Sequence, residues 1–192
     1  MTKKEVRKAA RQSILDGKTK QETFEELKGM SYRSWKSTVD LAKIIQKIPT
    51  LHVRKKYKTL NVILIVLLSL TVLFKMLAGI PIILENGIKW FPVLFLLPII
   101  NIILLIGIAL YRPNYHKLVA IFTILGLFQL IGNMWGVPFE PLILIDLTIG
   151  AGLIGLGFYL NSKLFPDYSI VKERYQDSQG KQKVRDAIKF EE

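Results

Sequence analysis

Four long apolar stretches between Leu60 and Leu160 constrain this chain more than any other feature of its sequence. A helix rises about 1.5 Å per residue and a bilayer's hydrocarbon core is roughly 30 Å thick, so one span needs about 20 mainly apolar residues. The stretches are apolar on every side, whereas barrel strands alternate apolar and polar residues, and helices are therefore indicated. The sequence predicts an all-α integral membrane protein with four transmembrane helices, near residues 60–79, 90–110, 118–135 and 140–160.

The distribution of Lys and Arg predicts the orientation of these spans. The chain has 27 such residues and a net charge of +12. Apart from Lys75 and Lys89, all of them precede the first span, follow the fourth or lie in the Tyr111 to Lys117 loop. Cytoplasmic loops are enriched in Lys and Arg. We therefore expect both termini to be cytoplasmic, most simply in a bacterial cytoplasmic membrane, although an organelle remains an alternative.

The chain lacks the residues that several classes of enzyme need for catalysis. The chain has no Cys, which excludes disulfides, thiolate chemistry and Cys-based metal sites. Its two histidines, His52 and His116, lie in basic segments near the predicted inner face and suggest no metal site. There is no Gly-rich phosphate loop and no Gly-x-Ser-x-Gly turn, and Ser69 has no candidate base beside it. The expectation is a non-enzymatic protein with no catalytic residue and no cofactor.

Residues 1–58 form a basic segment with the pattern of three cytosolic helices. Thr19 and Glu22 have the spacing of a capping box, in which side chain and backbone satisfy each other's free donors at a helix start. Gly17 and Gly29 fit the ends of the first two helices. Apolar residues recur at helical spacing and predict a small shared core: Val6, Ala9, Ala10, Ile14, Phe24, Leu27, Trp35, Val39, Ala42 and Ile45. A module of about 50 residues is marginal alone, so the membrane or a partner would add stability.

Two kinds of partner suit this basic module. The short turn at Gly29-Met30-Ser31 invites a helix-turn-helix interpretation, in which positive charge would face DNA phosphates. Glu25 or Glu26 stands where such modules usually have a small residue, and short turns join many helical hairpins. Docking on a protein or on the anionic inner leaflet is therefore favoured, and nucleic acid is an unlikely partner.

A cluster of four basic residues leads into the first span: Arg54, Lys55, Lys56 and Lys58. Each Lys or Arg near an anionic membrane surface contributes about 1 kcal/mol of attraction. The simplest interpretation is that this cluster sets the topology, and contact with lipid headgroups or a partner would be a refinement of that role.

The polar tail after Leu160, residues 161–192, has two alternative structures. A turn signal at Asp177-Ser178-Gln179-Gly180 lies between two apolar-containing segments and predicts a small β-hairpin. Lys181 to Glu192 fits a short helix equally well, and an isolated hairpin would be marginal. Opposite charges nearly balance here, so protein contacts are favoured, including contacts with the amino-terminal module.

Two charged residues lie at the same predicted depth in the membrane. Lys75 is fifteen residues beyond the inner start of the first span and Asp146 fourteen from the inner end of the fourth, which puts both about 21 to 22 Å deep. Asn133 falls at that level, with Gln129 one turn below it. A lone charge in a membrane costs roughly 2.5 to 3.5 kcal/mol, so such residues usually pair or face the bundle interior. We expect an intramembrane polar cluster that either orients the helices or lines a polar cavity.

Further residues predict helix packing. Asn101, near the middle of the second span, can hydrogen-bond another helix or a second copy of itself. In the fourth span Thr148, Ala151, Gly152 and Gly155 form a stripe of small residues, which allows two helices to approach closely. The stripe indicates a packing surface within the bundle or in a homo-oligomer.

Three functions remain after these exclusions. The favoured one is a membrane anchor or accessory subunit that presents its cytosolic modules to partner proteins. The alternative is an oligomeric channel or membrane-perturbing effector gated by the cytosolic module, although no span has the continuous polar stripe of a water-filled pore. A membrane-tethered nucleic-acid-binding regulator ranks below both.

Overall fold

The computed structural model describes residues 3–31, 35–87, 89, 91–92, 96, 98–133, 141–176 and 182–190. The chain is mostly helical (74%) and carries a small two-stranded sheet. The elements in chain order are α1 Lys3–Leu15, α2 Lys20–Ser31, α3 Trp35–Gln46, α4 Leu51–Lys56, α5 Lys58–Asn86, α6 Ile99–Ala109, α7 Tyr115–Asn133, α8 Pro141–Leu164, β1 Tyr168–Gln176 and β2 Gln182–Phe190. They form two compact units, here called the terminal unit (Met1–Lys55 with Ser162–Glu192) and the apolar unit (Lys56–Asn161).

The first turn of α2 in the terminal unit has the predicted capping box. The Thr19 backbone N–H donates to the Glu22 carboxylate at 2.8 Å, and the Glu22 backbone N–H donates to the Thr19 hydroxyl at 3.1 Å. Gly17 follows α1 with a φ of +94°, a conformation that favours glycine. The α2 helix continues to Ser31, two residues past the stop predicted at Gly29.

The tail is a hairpin, and its second strand completes the core of the terminal unit. β1 and β2 pair antiparallel from Tyr168 opposite Phe190 to Gln176 opposite Gln182, so a helix over Lys181 to Glu192 is wrong and the chain is not entirely α. The turn at residues 177–180 lies outside the described residues. Ile188 is 3% exposed and belongs to the same buried cluster as nine residues from the amino-terminal segment: Val6, Ala10, Ile14, Phe24, Leu27, Leu41, Ala42, Ile45 and Ile48. Both ends of the chain therefore build one core.

Polar contacts also attach the hairpin to α2. The Gln21 side-chain amide donates to the Ile188 carbonyl at 3.4 Å, and its oxygen accepts from the Phe190 backbone N–H at 3.3 Å. One side chain thus satisfies a donor and an acceptor at the outer edge of β2, which would otherwise be unpaired. The Phe24 and Phe190 rings pack edge to face with centroids 5.8 Å apart.

The apolar unit contains two helical segments long and apolar enough to cross a membrane, Lys58–Leu77 and Ile143–Leu164. Only 17% and 22% of these segments are buried, unlike the core helices of soluble proteins, which are mostly buried. Among the described residues, Ile99–Ala109 and Tyr115–Leu130 are shorter apolar helices. The described residues therefore include two candidate membrane-spanning helices, which is a coarser result than the four spans that the sequence predicts.

Close packing joins the helices of the apolar unit near one end. The buried His116 ring on α7 hydrogen-bonds Asn61 on α5 at 2.7 Å. A Cβ at Gly157 on α8 would come within 2.8 Å of the His116 carbonyl oxygen, and a Cβ at Gly107 on α6 would overlap the Tyr115 ring. Glycine is required at both positions because the neighbouring helix occupies the space that a side chain would need.

Candidate functional site: a polar cavity in the apolar unit

A short chain of hydrogen bonds connects α5 to α6 within the apolar unit. Thr71 and Lys75 are four residues apart on α5 and so share a face. The Lys75 ammonium donates to the Asn101 side-chain oxygen at 3.4 Å, and the Asn101 amide donates to the Thr71 hydroxyl at 2.9 Å. The Thr71 hydroxyl in turn donates to the Leu68 carbonyl at 2.8 Å. Each group therefore donates a hydrogen bond to the next, from the Lys75 ammonium through Asn101 and Thr71 to the α5 backbone.

These groups line a cavity of about 300 Å³. Its polar lining includes Lys75, Thr71, Asn101, Thr123 and Asp146. Its apolar lining comes from α5, α6, α7 and α8: Leu68, Phe74, Leu104, Val119, Phe122, Leu127, Leu130 and Leu153. Small ligands bind in cavities of this kind, which have mainly apolar walls and a few polar groups.

One cation and one anion share this cavity without direct contact. Among the described residues, the Asp146 carboxylate forms no hydrogen bond or salt bridge, although it is close enough to interact electrostatically with Lys75. Lys75 makes one hydrogen bond there, and an ammonium has three donors. Both residues are exposed at the surface of the unit, so the cavity is open. The charged groups are thus available to a ligand.

The predicted intramembrane cluster is only partly assembled at this cavity. Lys75 and Asp146, predicted at one depth, line it together. Gln129 is exposed and is not among the lining residues, and the Asn133 side chain lies outside what the structure describes. Among the described residues, the side-chain amide that lines the cavity is that of Asn101. Its contact with α5 is within the chain and involves Thr71, a residue that the sequence did not single out.

The small residues of α8 divide between two environments. Thr148, Ala151 and Gly155 are exposed, and in the described part of the chain a Cβ built at Gly155 meets no neighbouring element within 4 Å. Gly152 is half-buried, and its Cβ would contact Leu67 of α5 at 3.3 Å. Gly152 therefore packs within the unit, while the other three face outwards, where lipid or a second copy could contact them.

The basic cluster lies at the end of α4 and the start of α5. Arg54 is half-buried, whereas Lys55, Lys56 and Lys58 are exposed. The Lys56 ammonium lies 5.6 Å from the centre of the Tyr57 ring, a cation–π distance. The exposed ammonium groups are accessible to lipid phosphates or to a partner.

A second cavity, of about 470 Å³, lies between α2 and the hairpin within the terminal unit. We call it the hairpin groove; it is lined by Gln21, Glu25, Lys28, Glu173, Arg185, Asp186, Ala187, Ile188, Lys189 and Phe190. Three of these residues are acidic and three are basic, and Glu173 forms ion pairs with Arg185 at 3.4 Å and Lys189 at 3.6 Å. Sequence reasoning missed this groove because its two sides are more than 140 residues apart.

Comparison of the chain with protein-family models, with curated proteins and with solved structures gives no match. Function is therefore inferred from the chain's own residues.

Proposed function

We propose that this chain is a non-enzymatic membrane anchor or accessory subunit. Its apolar unit crosses the membrane four times, and the terminal unit is displayed at the cytoplasmic surface, where it binds a partner protein. The observation that carries the proposal is the shared core of the terminal unit, in which Ile188 packs with the amino-terminal helices.

The shared core has a direct consequence for topology. Segments on both sides of the apolar unit contribute to one folded body, so both must lie on the same side of a membrane. The number of crossings is then even, which agrees with four spans and not with three. The concentration of Lys and Arg in the two segments outside the apolar unit favours the cytoplasm as that side.

The hairpin groove is the proposed contact surface for the partner. Its three acidic and three basic residues give no net charge, and a polyanion such as DNA would meet repulsion from Glu25, Glu173 and Asp186. A protein segment with charges of both signs is complementary to such a surface, because opposite charges can be matched locally. This favours a protein partner over nucleic acid.

Photocrosslinking in native membranes tests the proposal with the full chain. A photoreactive amino acid at Arg185, in the groove, is compared with one at Lys8, an exposed position on α1 outside the groove. We expect a defined cytoplasmic protein to be captured at Arg185 and not at Lys8. The charge reversals Lys28→Glu and Arg185→Glu should weaken recovery of that protein by copurification. Equal capture at both positions, or none at Arg185, would contradict partner binding in the groove.

The channel alternative is supported by one observation, the polar cavity around Lys75 and Asp146. Reconstitution in liposomes distinguishes the two functions. An anchor leaves ion flux at the level of empty liposomes. Flux that disappears in Lys75→Met and Asp146→Asn variants would favour the channel.

A further inference from the structure

The cavity of the apolar unit combines two features that usually occur together in sites for amphiphiles. One side offers a cation, an anion and an amide-hydroxyl pair, and the rest is apolar. Phe74 and Phe122 are lining residues that are also exposed at the surface, so an apolar ligand chain could leave the cavity along them. A ligand that matches every part of this lining has a small polar head with both charges and an apolar arm.

We propose that this cavity binds a membrane amphiphile with a zwitterionic head. The anionic group, a phosphate or carboxylate, accepts hydrogen bonds from Lys75, and the ammonium group lies against Asp146. The Asn101 amide and the Thr71 hydroxyl complete the polar wall beside the head. The apolar chain runs along the leucine and phenylalanine side chains and out into the lipid.

The charges select a zwitterion over other amphiphiles. An anionic head would leave Asp146 facing a like charge, and a cationic head would do the same to Lys75, at a cost that rises in surroundings of low dielectric constant. A neutral head would bring no opposite charge into direct contact with either Lys75 or Asp146. A zwitterion satisfies both groups without a change in net charge.

The volume of the cavity agrees with a head and the start of a chain. Ligand pockets range from about 300 to 1,000 Å³, so this cavity is at the lower end and cannot enclose a lipid with two whole chains. The remainder of the ligand would lie outside the unit. This arrangement requires the membrane placement in the proposed function but does not depend on partner docking at the hairpin groove.

Binding is measured with the full chain in a non-ionic detergent by native mass spectrometry and by thermal shift. The probes are lysophosphatidylethanolamine, lysophosphatidylglycerol and an alkyltrimethylammonium of the same chain length, together with free phosphoethanolamine. We expect the zwitterionic lysolipid to bind at least tenfold more tightly than either singly charged lipid. Binding of phosphoethanolamine alone with equal affinity would overturn the role of the apolar arm and would indicate a water-soluble zwitterion instead.

Charge removal gives a reciprocal test. Asp146→Asn leaves Lys75 as the single charge in the cavity. The order of affinities among the three amphiphiles should then change, with lysophosphatidylglycerol bound most tightly. Lys75→Met leaves Asp146, so the cationic amphiphile should bind most tightly. Each variant should lose about tenfold or more in affinity for the zwitterionic lysolipid, as expected for a lost hydrogen bond or contact of a charged group. An unchanged order of preference in both variants would overturn the proposal.

A cavity-filling variant tests the location without altering charge. Gly126 lines the cavity, and a Cβ built there meets no neighbouring element within 4 Å among the described residues, so Gly126→Leu adds bulk at the cavity wall without a clash at Cβ. Gly155→Leu on α8 is the matched control, since its Cβ is equally free and Gly155 is not a lining residue. We expect Gly126→Leu to weaken lysolipid binding at least tenfold and Gly155→Leu to leave it unchanged. Equal binding by both variants would place the ligand elsewhere and refute the assignment.

Discussion

Replacing Ile188 by Ala should destabilise the amino-terminal helices as well as the hairpin that contains it. The side chain is 3% exposed and packs in a core supplied mainly by α1, α2 and α3. Truncation of a buried isoleucine to alanine costs about 2 to 5 kcal/mol, which includes the lost transfer free energy and the cavity left behind. The terminal unit has 86 residues, and domains of that size are typically stable by about 4 to 13 kcal/mol. The substitution therefore removes a large share of its stability.

Hydrogen exchange of the full chain in nanodiscs measures this effect by region. The slowest amides of α1 to α3 exchange through unfolding of the unit, so their exchange should accelerate by about 30-fold to several thousand-fold. Val184→Ala is the matched control, because Val184 is on the same strand, is also β-branched and is 60% exposed. The control should change stability by less than about 0.5 kcal/mol.

The outcome that would refute the shared core is specific. Faster exchange confined to β1 and β2, with unchanged protection of α1 to α3, would show that the hairpin folds independently. The topology argument would then lose its physical basis, since two separate bodies can lie on opposite sides of a membrane.

Two further predictions concern single contacts. Gly157→Ala should lower the free energy of unfolding in detergent by about 1 to 3 kcal/mol, because the new Cβ would lie 2.8 Å from the His116 carbonyl oxygen, whereas Gly155→Ala should have little effect; equal melting temperatures for the two variants would contradict the helix approach at Gly157. Hydrogen bonds from Lys18 and Ser13 lower the pKa of Glu26, so its stabilising contribution is present above the ordinary carboxyl pKa and is lost as pH falls through the lowered value. The difference in melting temperature between the wild-type protein and Glu26→Gln should therefore disappear in acid. A difference in melting temperature that persists in acid would exclude this linkage.

Local features of the terminal unit were predictable from the sequence because neighbouring residues determine them. The capping box of Thr19 and Glu22 needs only four consecutive residues, and the apolar face of α1 repeats at helical spacing. Lys20 shows the limit of such reasoning. From the sequence alone, a lysine at this position is expected at the surface. In the structure Lys20 is 2% exposed, and its ammonium donates to the Gln46 carbonyl at 3.3 Å, near the end of α3. That contact depends on how α2 and α3 pack.

The hairpin shows why the tail could not be decided from the sequence. A two-stranded hairpin is marginal alone, and β2 is stabilised by Gln21 and Phe24, each more than 160 residues from the residue of β2 that it contacts. Nothing within residues 161–192 specifies those contacts, so the helix and the hairpin were equally plausible.

The polar cavity was partly predictable for a different reason. Helical rise predicts one shared depth for Lys75 and Asp146 from their positions in the chain, and the two residues line one cavity. The rise per residue does not give the rotation of a helix about its own axis. In a helix that is apolar on every side, the sequence does not indicate which face points inward. Asn101 and not Gln129 is therefore the amide at the cavity, a result that required the packing of α5 against α6.

The absence of Cys from the chain permits a direct test of the central claim, that both ends form one unit on the cytoplasmic side. Single cysteines are introduced at Lys8 on α1, at Gln182 on β2 and at Glu85 near the end of α5, all of which are exposed positions. A membrane-impermeant thiol reagent applied to intact cells should label the cysteine at position 85 and should label the other two only after the cells are opened. Labelling of position 8 or position 182 in intact cells would contradict the account.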